Sequence, residues 1–154
     1  MDRTTIRPVL ALTMLAVATA VVLPARAADV VVVDEGGISV AWVPWLEENA
    51  PAAVICWASW APGATDVVKE LDAMKGLAEA RGLELVLVSV QETADEARAG
   101  LSEISVRWLH DRYGRVLKYH RVIMIPGLVI VDADGEVIGR MEASAEALRG
   151  WPGR

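Results

Sequence analysis

The side chains able to do chemistry are few, and the scarcest is the most informative. Among 154 residues there is one cysteine, Cys56, and there are two histidines, His110 and His120. A single thiol excludes an intramolecular disulfide, a four-cysteine zinc site and a dithiol redox centre made within one chain. Cys56 lies in the apolar run Ala52–Trp57. A free cysteine there behaves as a small hydrophobe, and an apolar setting raises its pKa. It reads as a core residue. The alternatives are an intermolecular disulfide or a peroxidatic role, although a peroxidatic thiol belongs at a helix start. His110 and His120 invite a metal reading with Asp111, Met124 or Met141 as companions. No ligand spacing repeats, so the histidines read as surface or loop residues and no metal is assigned. Asp132, Asp134 and Gly135 imitate part of a calcium loop but lack its length and distal Glu, which leaves a hairpin turn. No phosphate loop, dinucleotide fingerprint or Ser/His/Asp arrangement is present, and no cofactor is implied.

The elements that must position these groups follow from periodicity. Asp29–Asp34 and Ile38–Trp42 read as short β segments around Glu35-Gly36-Gly37. Val43–Ala50 reads as irregular, with at most a helical turn at Trp45–Glu48. Ala52–Trp57 is unbroken and apolar, as in a strand buried on both faces. Pro62 stands where a helix is expected to begin. Val67, Val68, Leu71, Met74, Leu77 and Ala78 then recur at helical spacing up to the stop at Arg81-Gly82. Leu83–Val90 is a second inner strand. Thr93 and Glu96 form a capping box for a helix reaching Glu103 or Ile104. Ser105–Leu109 reads as extended and Arg115–His120 as a helical turn or two. Leu128–Val131 and Glu136–Met141 make a hairpin, and a short helix covers Ser144–Arg149. Strands alternating with helices, closed by a hairpin, predict an α/β fold: a three-layer α/β/α sandwich with a mixed sheet, parallel at its centre.

The length allows one domain, and 54% hydrophobic with 23% charged residues excludes disorder as the main state. Arg3 and Arg7 precede the apolar run Val9–Leu23, which leads to Ala25-Arg26-Ala27. That pattern predicts a signal peptide over residues 1–27, cleaved after Ala27, with an uncleaved anchor as the alternative. Residues 28–154 then form the single domain, exported to the periplasm or secreted. No cysteine lies near the cut, so a lipoprotein is not expected. Residues 1–27 hold Asp2, Arg3, Arg7 and Arg26, so 12 basic and 20 acidic residues remain, a net charge of −8. Such a surface repels nucleic acid and anionic lipid, and a membrane contact is expected only through an uncleaved anchor.

One segment carries a resemblance. Val54–Lys69 reads VICWASWAPGATDVVK: a buried strand, Trp-Ala-Ser-Trp, a Pro-Gly turn and an amphipathic helix. It resembles the thioredoxin superfamily, closest to the exported TlpA/ResA type, whose usual segment is FWASWCPPC. The likeness runs from about Ala52 to Arg149 and includes LELVLVSV, Ile125-Pro126 and VDADGEV. The resemblance implies a redox centre of two cysteines flanking the turn, the first a thiolate favoured by the helix start and the second resolving a mixed disulfide. Here those positions are Ala61 and Ala64, so neither step is available. Ile55 stands where the family often has a buried acid or amide, and Val67 and Lys69 where the pattern often has Glu and Pro.

What the resemblance leaves is a binding surface. Its proline before the hairpin strand is cis, and the neighbouring backbone pairs with an extended peptide. Pro126 matches that proline. Trp60, Pro62, Gly63, Ile125 and Pro126 are therefore the expected platform for a peptide or protein partner. The leading expectation is an exported, redox-inactive binding module. The alternatives are a redox protein using Cys56 and a copper-handling protein.

Overall fold

A computed structural model describes residues 30–153. The predicted signal peptide and Asp29 lie outside the described residues. Along the chain run β1 (Val31–Asp34), β2 (Ser39–Ala41), α1 (Trp42–Asn49), β3 (Ala52–Trp57), α2 (Ala64–Glu79) and β4 (Glu84–Val90). Then follow α3 (Ala94–Gly100), β5 (Trp108–Asp111), α4 (Arg115–His120), β6 (Gly127–Val131), β7 (Val137–Glu142) and α5 (Ala145–Gly150).

One seven-stranded sheet runs β2-β1-β5-β4-β3-β6-β7. The inner strands β3, β4 and β5 are parallel, and every other pairing is antiparallel. This is the mixed sheet with a parallel centre that the sequence predicts. Every residue of β3 is buried, and its side chains alternate between two cores. Ala53, Ile55 and Trp57 pack with Leu71, Met74 and Ala78 of α2, Ala97 of α3 and Leu148 of α5. Ala52, Val54 and Cys56 pack with Trp42, Trp45 and Leu46 of α1 and Val116 and Leu117 of α4. The chain steps from β3 to β4 to β5 with α2 and α3 on one face. It then crosses by α4 on the other face to reach β6.

Several local expectations need correction. Val43–Ala50 is mostly helix, because Pro44 occupies the third position of α1, where an N–H has no intrahelical acceptor to lose. Trp42, Trp45 and Leu46, at i, i+3 and i+4, give that helix its buried stripe. α2 begins at Ala64 rather than Pro62. α3 keeps the Thr93–Glu96 capping box but stops at Gly100, short of Glu103. A Cβ at Gly100 would lie 2.7 Å from the Trp57 indole, so the chain passes too close there for any side chain. The extended piece expected at Ser105–Leu109 is β5, shifted towards the C-terminus by its pairing with Leu87–Val90.

Candidate functional site

β3 delivers the chain into Ala58–Gly63, where two turns close. The Ala61 N–H donates to the Ala58 carbonyl and the Ala64 N–H to the Ala61 carbonyl, each at 3.1 Å. The Trp57 indole donates to the Ala64 carbonyl at 3.0 Å, tying the end of the strand to the start of α2. Gly63 is the N-cap at φ 80°, a left-handed conformation that a Cβ would strain, and no side chain caps the helix. Pro62 is thus a turn residue ahead of the helix. Ala61 and Ala64, at 6% and 4% exposure, are folded into opposite cores. A methyl group offers neither a lone pair to attack a disulfide nor a proton to transfer.

The loop is held by a group the sequence reading passed over. Glu92, in the turn after β4, is buried. Its Oε2 accepts from the Ser59 N–H at 3.0 Å and from the Ser59 hydroxyl at 2.5 Å. Its Oε1 accepts from the Ser89 hydroxyl at 2.7 Å. Ser89 Oγ also lies 3.3 Å from His110 Nδ1. The single hydroxyl proton goes to the carboxylate, so the ring Nδ1 is the donor in that second contact. Burial pulls the His110 pKa down, against the upward pull of the Glu92 and Asp111 carboxylates. The signal for Glu92 was a lone acid just beyond an apolar strand end, with its partner Ser59 on another loop.

The remaining chemistry-bearing residues are structural in their geometry. Cys56 is fully buried, and desolvation, then the Asp111 charge, push its thiol up to about 12. About one thiol in 10⁵ is then ionised at pH 7. Asp111 Oδ2 accepts from the Val116 N–H at 2.7 Å and so holds the first turn of α4, while Oδ1 has no partner. Both histidines are buried, a correction to their reading as surface residues. His120 Nε2 accepts from the Trp42 indole at 3.0 Å, and burial, helped by Arg140, lowers its pKa to about 4. Among the described residues no three His, Cys, Asp or Glu side chains gather where a metal could bind. Asp132 Oδ1 accepts from the Asp134 and Glu136 N–H groups, a hairpin turn with Gly135 at φ 83°.

The expected platform residues meet at one end of the sheet. β3 and β6 are antiparallel neighbours with Cys56 opposite Gly127, so the Ala58–Gly63 loop and Ile125-Pro126 emerge side by side. The Ile125–Pro126 bond is cis, and so is Ala50–Pro51, which the sequence reading did not single out. Trp60 is 58% exposed, and its indole leans towards the β4 end, 3.4 Å from the Gln91 carbonyl. Pro62 and Gly63 are exposed, while Ile125 and Pro126 are half-buried, with Ile125 packed on the α1/α4 core.

No protein-family model matches the sequence, and no curated protein matches it. Solved structures do. A candidate thiol:disulfide interchange protein DsbE from Chlorobium tepidum is similar with a TM-score of 0.61 at 19% identity, over 75% of this chain and 82% of the other. A secreted Mycobacterium tuberculosis disulfide oxidoreductase homologous to E. coli DsbE gives 0.58 at 17% identity, over 78% and 87%. Thioredoxin from Wuchereria bancrofti gives 0.59 at 20% identity, over 82% and 90%. The described residues therefore have the thioredoxin fold, as the resemblance over about Ala52–Arg149 implied.

Proposed function

We propose that the protein is an exported thioredoxin-fold module that binds an extended peptide or protein segment and performs no thiol–disulfide exchange. One observation carries this reading: the loop is intact, yet its two reactive positions are the buried methyl groups of Ala61 and Ala64. The only thiol lies in the core with a pKa near 12. That value also counts against a redox role for Cys56. The engaged ring nitrogen of His120 and the burial of both histidines count against copper handling. Export is supported by Arg3, Arg7, the apolar run Val9–Leu23 and Ala25-Arg26-Ala27.

Insulin reduction with dithiothreitol as reductant tests the redox half. The protein is expected to give no turnover above the buffer control, and clear turnover overturns the reading. The double variant Ala61→Cys/Ala64→Cys is expected to gain insulin reduction and a thiol that labels rapidly below pH 7. Two inert thiols would mean that the loop no longer supports the chemistry. The binding half is tested by panning a displayed library of random peptides. Recovered sequences that bind Trp60→Ala more weakly support it, and recovery of none counts against it.

A further inference from the structure

Charge is distributed very unevenly over this domain. From Arg112 to Val131 there is no Asp or Glu, but there are Arg112, Arg115, Lys118 and Arg121. Elsewhere in residues 28–154 the balance is 8 basic to 20 acidic. All four cations are exposed, and so are Tyr113 and Tyr119. Arg112 and Arg115 lie over the Tyr113 ring at 6.0 and 5.7 Å. Lys118 and Arg121 have no acidic partner among the described residues. The nearest acid in sequence, Asp111, is buried and engaged with the Val116 N–H.

This basic stretch ends in exposed apolar side chains. Ile123 is 100% exposed and Met124 59%, immediately before the cis Ile125–Pro126 bond. Beside them lies a mainly apolar groove of about 220 Å³, lined by Val122, Met124, Leu128 and Met141, with Arg121 and Arg140 also in the lining. Its one acid, Glu142, accepts from the Ser144 hydroxyl at 3.1 Å. A cavity of this size takes an apolar side chain, and the cations beside it favour carboxylates.

Resting on the binding reading above, we propose that the surface from Arg112 to Met124 with its adjoining groove docks an acidic peptide segment in which Asp or Glu alternates with apolar residues. An apolar side chain enters the groove beside Met124 and Met141. The flanking carboxylates meet Arg121, Lys118 and Arg112. Alternation matches an extended strand, whose successive side chains point to opposite sides. An anionic membrane fits less well. The apolar surface is concave, α4 spans Arg115–His120 only, and the mature domain is acidic overall.

The test measures fluorescence anisotropy of two labelled peptides, one alternating Glu with Leu and one alternating Lys with Leu. The acidic peptide is expected to bind at least about tenfold more tightly. That preference should vanish as salt rises from about 0.01 M to about 1 M, where the screening length falls from ~30 to ~3 Å. Lys118→Glu/Arg121→Glu should remove or reverse the preference. The neutral pair Lys118→Gln/Arg121→Gln should weaken it with an unchanged circular dichroism spectrum, separating charge from folding. Equal binding of both peptides, or a preference indifferent to these substitutions, overturns the proposal. So does sedimentation with phosphatidylserine vesicles that depends on Lys118 and Arg121 while the acidic peptide stays free. If panning recovers Trp60-dependent peptides with no acidic bias, the binding module stands and this inference alone falls.

Discussion

The two faces of the sheet are filled by different means. On one, the 16-residue helix α2 lays an aliphatic stripe of Val67, Leu71, Met74 and Ala78 across the strands. Its polar groups gather at the sheet end, where the Trp57 indole donates to the Ala64 carbonyl and the buried Ser89 and His110, in line with Leu87 and Trp108, meet each other. On the other, α1 and α4 are 8 and 6 residues long. Two turns of helix present few side chains, so the volume is taken up by large rings. Trp42 and Trp45 stack with centroids 5.2 Å apart, and His120 meets Trp42 edge-on at 5.7 Å. Rings of this kind bring N–H groups and a titratable nitrogen into the core. The short-helix face therefore sets a titratable nitrogen within its packed rings, whereas the α2 face keeps its own, His110, at the sheet end beside Ser89.

That contrast can be broken in order of expected effect. Trp42→Ala should cost about 4 kcal/mol, from the lost ring volume and from His120 Nε2 left without its donor. Met74→Ala on the α2 face should cost about 3 kcal/mol. Denaturant midpoints at constant slope measure both, and equal costs would mean that the aromatic stack adds nothing beyond volume.

The next effect is pH dependence. His120 titrates near 4 when folded and about 6.5 when unfolded. Between those values the unfolded chain holds a proton that the folded chain does not, so stability rises with pH. It is fully present above about 6.5 and is lost as pH falls towards 4, by roughly 3 kcal/mol. Thermal unfolding of His120→Gln should show a flatter profile over this range. An unchanged profile would assign the dependence to other groups.

Smallest is Cys56→Ser, which puts a hydroxyl into the same face and should cost about 1–2 kcal/mol. Free cost would indicate that the hydroxyl reaches Asp111 Oδ1, the buried oxygen left unpaired.

The central elements were legible in the sequence because a single local signal decided each. The run Ala52–Trp57 admits only an inner strand, and Thr93 with Glu96 marks a helix start whatever lies around it. α1 was not legible, since Pro44 reads as a breaker unless one knows that it falls in the first turn. The start of α2 was misplaced for a related reason, because Pro62 suits a turn as well as a helix. At the site, Ala61, Ala64 and Pro126 could be located because the motif fixes their spacing. Glu92 could not, because its meaning depends on Ser59, 33 residues earlier, and on Ser89 and His110 converging from two strands. The burial of the histidines was hidden for the same reason, as Trp42 meets His120 across 78 residues.

The Glu92 carboxylate has a consequence for how this protein can change. The shape of the Ala58–Gly63 loop is pinned by an acid on a neighbouring loop and by the Trp57 indole, both outside positions 61 and 64. The hydrogen bonds that shape the loop use no side-chain atom of position 61 or 64. The side chains at those two positions can therefore differ while every one of those bonds stays in place.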